Sequence, residues 1–481
     1  MKIFYKFILI LVPCIILCQE NTYNDILTEL QKRNYSEAIK ICETRINETP
    51  NDASLYAYLS FTYFSVAQKR TVEVDKEAVR YRGIKRGDSY IFKENESMKD
   101  FLKEKLSFDK DTLKLSETAM LKALSLNENN FEFLLSLCEI YFAQENHTQL
   151  LKTIDHLLSM KLPIYAPAAI NKFGNNYFKK NEYNNALDVY KKTYSHFQTI
   201  DSYTNAAACH ITIGQIPEAI QLLQTALRIN PLDSTAIEYL YQANVFQLKS
   251  DIAAYYKEIL LEQDSLNINH NLDLAFAYLS YDEESSIYHF QKYISLVKNR
   301  EDQKYIMQLV EEILSDLQIG KNDLLVDLMR SEQLNSLGYI NHAISLLSKI
   351  LQKDNANSPA FFNLALIFRE LNHFKTALNY FSICEELTQG LSDSKEILSI
   401  VYYEKAKTYF LMKDYNNVIK YAKRNIEKFG KDSSELRYLF GLAYLENDNK
   451  ESAKKEFNNA IRLNDNEGFV EQSKIELEHL K

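Results

Sequence analysis

The sequence contains no tryptophan and, in 481 residues, only 10 glycines and 7 prolines. So few breakers argue against a loop-rich chain and for a mostly helical one with tight turns. Cysteine is scarce as well. Beyond the amino terminus, Cys42, Cys138, Cys209 and Cys384 form no CxxC pair, so their spacing gives metal and redox chemistry no support. Each lies in an apolar helical stretch, the setting of a small buried thiol, although an extracytoplasmic disulfide between two of them stays open. There is no block of positive charge: 56 Lys and Arg stand against 65 Asp and Glu, a formal charge of −9. That balance disfavours a nucleic-acid binder, which needs a basic face against phosphates. Glycine-rich phosphate loops, GxSxG and HExxH are missing, and the nine histidines never fall four apart. No catalytic residues, metal or cofactor are implied.

The amino terminus is informative. MKIFYKFILILVPCIILCQE sets Lys2 and Lys6 before an apolar run from Phe7 to Leu17, 11 residues, too short to cross about 30 Å of hydrocarbon comfortably. It reads as a secretory signal peptide over 1–18, with a retained anchor as the alternative. Two processing routes fit. IILC, Ile15 to Cys18, resembles a bacterial lipobox that would make Cys18 a lipidation site, though Leu17 stands where a small residue is usual; ordinary cleavage after Cys18 leaves Gln19 first. Either route places the body outside the cytoplasm.

The body repeats a pattern of sizes. In FGNNYFKKNEYNNALDVYKKTY, Gly174 and Ala186 are small, while Phe173, Tyr177 and Tyr190 are large. With KKNEY as a turn, this is a helical hairpin in which facing small residues let two axes approach to about 8 Å and large neighbours fill the groove. Moving 33 residues on, Ala207, Ala219, Leu223, Ala226 and Pro231 take equivalent places. Ser60 and Tyr63, Cys138 and Tyr141, Ala365 and Ala377, Ala406 and Ala422, and Gly441, Ala453 and Phe457 keep the same frame.

These copies resemble the tetratricopeptide repeat, a 34-residue helical hairpin. The resemblance implies an all-α, right-handed α-solenoid of about nine to eleven hairpins with one inserted segment. Its tryptophan is replaced by Tyr56, Tyr203, Phe361 or Tyr402, and its closing proline survives at Pro50 and Pro231. The expected organisation is an amino-terminal array over 19–263 with the insertion at about 70–111, an irregular stretch over 264–321 in which Gly320 marks a hinge, and a carboxy-terminal array over 322–481 ending in a capping helix. Between Tyr63 and Ser116 about 44 residues are extra, and they read as a small hairpin near Gly83 and Gly87 followed by a charged helix. Arg80, Arg82, Lys85 and Arg86 make a compact basic cluster there, either a solvated loop or a docking patch for an acidic partner or lipid headgroup.

In that family the first helices of successive hairpins line a concave groove. The positions the resemblance turns towards it include Tyr58, Asn171, Asn175, Asn205, Glu238, Gln242, Phe362, Asn363, Tyr403 and Tyr438. Asparagine both donates to and accepts from an extended backbone, and aromatic faces hold side chains, a chemistry suited to peptides. The carboxylate clamp of chaperone-binding members is half matched: Asn175 and Asn205 fit, but Asn171, Thr235 and Tyr239 replace its cations. His147, His196, His342 and His373 lie near turns, where exposure is expected. The expected role is an extracytoplasmic scaffold for a protein or peptide, in envelope assembly or secretion, binding no nucleic acid and touching membrane only through Cys18. The alternative is an accessory protein whose 70–111 insertion carries the specific activity.

Overall fold

The computed structural model describes residues 22–74, 84–86, 89–91, 102–389 and 394–480. The leader, Cys18, Arg80 and Arg82 therefore lie outside the described residues. Contacts divide the chain into two compact units, Met1–Ser202 and Tyr203–Lys481.

The first unit contains four helical hairpins: α1 (Asn24–Gln31) with α2 (Tyr35–Glu48), α3 (Ala53–Ala67) with α4 (Lys110–Leu126), α5 (Phe131–Ala143) with α6 (His147–Leu158), and α7 (Ala166–Lys179) with α8 (Tyr183–Phe197). The second begins in α9 (Ile200–Thr212) with α10 (Ile216–Ile229), then α11 (Ser234–Phe246) with α12 (Ser250–Gln263) and α13 (Ile268–Tyr278) with α14 (Glu283–Val297). A lone helix, α15 (Lys304–Gln318), precedes four more pairs: α16 (Leu324–Ser336) with α17 (Ile340–Lys353), α18 (Ser358–Glu370) with α19 (Phe374–Thr388), α20 (Ser394–Leu411) with α21 (Tyr415–Phe429), and α22 (Ser434–Glu446) with α23 (Lys450–Leu463). A last helix, α24 (Glu467–His479), packs on α22 and α23. This is an all-α solenoid of eleven hairpins among the described residues, and the insertion supplies its strands.

The hairpins close for the reason their sizes suggest. Gly174 lies so near the Tyr190 ring that a Cβ would sit 2.5 Å from it, and Gly441 meets Phe457 in the same way at 2.5 Å. Most turns between paired helices place one residue in the left-handed region: Arg33, Glu145, Asn181, Leu248, Asn372, Lys413 and Asp448 at φ from 57° to 62°, with Gly214 and Gly338 doing so elsewhere. That conformation lets the following amide reach back, as Asn146 N–H does to the Tyr141 carbonyl at 2.9 Å, and satisfies the helix end. Gly320, at φ +67°, terminates α15, its N–H bonded to the Leu317 carbonyl at 3.0 Å, and a Cβ there would point into open space.

The insertion sits inside the second hairpin. Ser60 and Ser116 are 56 positions apart but form one small–small contact, their hydroxyls 3.0 Å apart and each bonded to the other's carbonyl. Gly174 and Ala186, 12 apart, occupy the same places, so 44 residues have been inserted. Because α3 and α4 pack together, the chain leaves and returns at neighbouring points. The two strands running outward, β1 (Gln68–Val74) and β4 (Leu102–Phe108), pair antiparallel with Gln68 opposite Phe108. A two-stranded ribbon, β2 (Ile84–Arg86) with β3 (Ser89–Ile91), lies between them and carries Lys85 and Arg86. The expected small hairpin near Gly87 is present; the helix expected after it is not found at 102–108, which is strand. Backbone groups of adjacent outgoing and incoming segments satisfy each other most directly by pairing, and this overrides the lysine-rich composition of LKEKLSF.

Candidate functional site

The first helices of the hairpins carry the positions expected to bind a segment, and each unit treats them differently. In the first unit Tyr58 is 4% exposed and packs against Tyr23, Leu55 and Cys42, ring centroids of the two tyrosines 5.1 Å apart. It is a core residue, a correction to the expectation that it lines a groove, because its hairpin is covered by α1. Asn171 is also buried, donating to the Ser202 hydroxyl at 2.9 Å while its Oδ1 finds no partner. Asn175 is exposed and accepts from the Tyr190 hydroxyl at 2.5 Å. The remaining polar groups of this face tie hairpin to hairpin: Tyr165 donates to Glu132 at 2.8 Å and Lys172 pairs with Glu139 at 2.9 Å. Burial raises the Glu139 pKa against the pull of Lys172.

In the second unit the same face falls into two stretches. Asn205 and Gln242 are half-buried. Glu238 is not directed to a ligand: Lys257 bonds both its oxygens, at 2.8 and 2.6 Å. Lys257 is 0% exposed, also reaches Asp273 at 2.8 Å, and lies 4.1 Å above the Tyr241 ring. It stands four residues after Ala253, the place Phe457 takes after Ala453 and Phe381 after Ala377. A buried ammonium there demands counter-charges, and the first helices of its own and the next hairpin supply them. Asp273 in turn accepts from His342 Nε2 at 2.7 Å. Burial opposes ionisation of Asp273, but the contacts from His342 and Lys257 prevail and hold it down at about 2.

Asp273 and Phe276 flank Ala275 at the offsets by which Tyr58 and Phe61 flank Ser60, so they belong to the first-helix face. That face is covered here by α17, which packs against both α11 and α13. His342 lies 4.7 Å from the Phe276 ring, and Ser348 comes within 3.3 Å of Ser250. His342 is 7% and His373 3% exposed, which corrects the expectation of solvent-exposed turn histidines.

Across α16, α18, α20 and α22 the face is open. Phe362, Tyr403 and Tyr438 supply one half-buried ring per hairpin. Phe362 packs edge-on against Phe381, Lys407 lies 5.0 Å over Tyr403, and Tyr438 leans on Phe457 and Phe469. Burial and Glu435 together raise the Tyr403 pKa, so it stays a neutral phenol. Polar side chains form a ladder between successive first helices: Asn363 donates to Glu332 at 3.1 Å, Asn335 to Glu370 at 3.0 Å, Arg369 pairs with Glu404, and Lys407 with Glu435 at 3.7 Å. Beside it stand Leu325 and Met329, 68% and 63% exposed, and Ile400 and Leu411, 52% and 50% exposed. Asn363, expected to meet a ligand's backbone, is thus bonded within the ladder. Residues such as Glu332, Arg369 and Glu404 escaped sequence reading, although their spacing of about one repeat was there to see.

Cys42, Cys138, Cys209 and Cys384 are free and buried, and burial pushes Cys42, Cys209 and Cys384 up to about 12. Among the described residues no helix is long and apolar enough to cross a membrane.

A tetratricopeptide-repeat family model matches residues 434–467, the span of α22, α23 and the start of α24. A TPR repeat-containing protein of Methanocaldococcus jannaschii is 24% identical over 298 residues, 60% of this chain and 50% of that one. The chain thus spans about half the length of that relative. Among solved structures, a tetratricopeptide repeat protein of Parabacteroides merdae aligns at 14% identity over 56% of this chain and 98% of its own, with a TM-score of 0.31. Yeast Tom70 aligns at 12% identity over 95% and 94%, with a TM-score of 0.30. Repeat stacks of this kind are typically non-catalytic scaffolds for protein–protein contact. With eleven hairpins in the expected frame and the family model seated on the last of them, the chain is a tetratricopeptide-repeat protein.

Proposed function

We propose that this protein holds an extended segment of a partner protein against the first-helix face of α16, α18, α20 and α22, and does so outside the cytoplasm in envelope assembly or secretion. The observation that carries the reading is the row of Phe362, Tyr403 and Tyr438 beside the exposed Leu325, Met329, Ile400 and Leu411. Apolar side chains left in water on an ordered face favour a ligand that covers them. The ladder of Glu332, Asn363, Arg369, Glu404, Lys407 and Glu435 keeps that face in register without needing the ligand. The location rests on Lys2, Lys6, the apolar run and Cys18.

The test is photo-crosslinking in the native host from a reactive residue at Ile400, with Tyr288 on the exposed side of α14 as control. Labelling of one protein segment from Ile400 and not from Tyr288 is the expected result. Equal labelling from both positions, or only solvent adducts, contradicts the groove. Intact mass of the mature chain tests location: acylated Cys18 or a chain starting at Gln19 is expected, and an unprocessed Met1 contradicts it.

A second reading is favoured by the strand arm, whose paired backbone gives the 70–111 segment a defined base on α3 and α4. On that reading the arm, with Lys85 and Arg86, engages the partner. Loss of crosslinking after arm removal, with helical content intact, favours the arm over the groove.

A further inference from the structure

Helix α17 is buried over every residue from His342 to Ile350. A solenoid helix ordinarily buries one stripe and leaves the other to water. The extra burial comes from contacts outside its own hairpin, with α11 and α13, and it falls on the face those helices would otherwise offer to a ligand. The following hairpin adds to the closure. His373 sits against Gly214, where a Cβ would meet its ring at 3.2 Å, and Phe246 packs on Phe368 and His373 at 5.7 and 5.5 Å.

The chemistry of this contact is not that of a sealed core. It joins an imidazole to a carboxylate at 2.7 Å and two hydroxyls at 3.3 Å. The Nδ1 atoms of His342 and His373 are buried without partners. An orphaned buried polar atom favours a hydrated state, so the contact is weaker than its area alone would make it. At Gly441 with Phe457, elsewhere in the second unit, the small–large contact is ring against backbone and buries no such pair of polar groups.

We propose that α17 is a built-in occupant of the first-helix face of α11 and α13, and that it leaves this face by a local opening well short of global unfolding. The closed state withholds Asp273 and Phe276 from external ligands. The open state presents them together with the Lys257 cluster, a surface suited to another helix carrying an imidazole or ammonium beside small hydroxyl residues.

The test uses the full chain with Ser250→Cys and Ser348→Cys, whose hydroxyls are close enough for a disulfide after a small shift. Amide hydrogen exchange is followed by mass spectrometry with the pair reduced and then oxidised. Exchange across Ile268–Tyr278 and Ile340–Lys353 is expected to slow at least tenfold on oxidation, while Ser434–Leu463 is unchanged. Identical exchange in both forms, or failure of the bond to form in the folded chain, overturns the proposal. Should that variant not fold, His342→Phe keeps a ring against Phe276 and removes the contact to Asp273. It is expected to speed exchange across Ile268–Tyr278 at least fivefold with Ser434–Leu463 unaffected, and an unchanged rate overturns the proposal equally. No partner is needed, so the outcome is separate from that of the crosslinking at Ile400.

Discussion

A methyl group on Gly441 would come within 2.5 Å of the Phe457 ring, and the hairpin α22–α23 closes only because none is there. Gly441→Ala gains about 1 kcal/mol of helix propensity but forces ring and helix apart, an overpacking cost of roughly 1–3 kcal/mol. A net loss of stability is expected, seen as a lower urea midpoint with unchanged slope; a rise would show that the two helices are farther apart than described. His373 makes a second residue-scale case. Burial against Phe246, Phe368 and Gly214 lowers its pKa below 6.5, opposed by the Ile211 backbone, and no carboxylate or ammonium is recorded against it. The folded state therefore resists protonation that the unfolded state accepts, so stability is complete above pH 6.5 and falls as pH drops below it. His373→Phe keeps the ring packing and should make the stability loss between pH 7 and pH 5 smaller than in the parent, measured by urea unfolding at each pH. A variant that loses as much as the parent would assign the acid sensitivity elsewhere.

Elements show what the sequence made legible and what it did not. The hairpin frame could be read because it is written in side-chain volume at fixed offsets: Gly174 with Ala186, and Ala453 four before Phe457. The length of the insertion followed from the same offsets, and Ser60 facing Ser116 agrees with it. The strand β4 was hidden because charged residues interrupt LKEKLSF and its partners on β1 lie 28 to 40 positions earlier, so only pairing reveals it. Asparagine is frequent here largely for local reasons: Asn130, Asn146, Asn267, Asn357 and Asn449 cap helices, and Asn363, expected to meet a ligand, bonds Glu332. The burial of His342 depends on Asp273, 69 positions earlier, which no local pattern reports. Lys257 did leave a signal, an ammonium where the frame calls for an aromatic. At this scale the arm is separable, since Ser60 and Ser116 hold α3 to α4 without it. Replacing residues 70–106 by a short turn is expected to leave the helical circular dichroism signal intact and change the unfolding midpoint by less than about 1 kcal/mol in stability. Collapse of the helical signal would show that the arm nucleates the second hairpin.

For the molecule as a whole, each hairpin is too thin to shield its own apolar side, so stability comes from the next hairpin covering it. Charge on the first-helix faces is arranged in repeat-spaced pairs, and such ladders preserve the register of a stack at little cost because each partner is already fixed by its helix. Within the second unit the same face serves twice: between α11 and α13 it receives the chain's own α17, and from α16 to α22 it stands open with rings and aliphatic side chains displayed. Hydroxyl-radical footprinting of the full chain, read residue by residue, compares these two stretches directly. Phe246 and Phe276 should resist oxidation while Met329, Ile400 and Leu411 react readily. Phe276 reacting as fast as Ile400 would contradict the account.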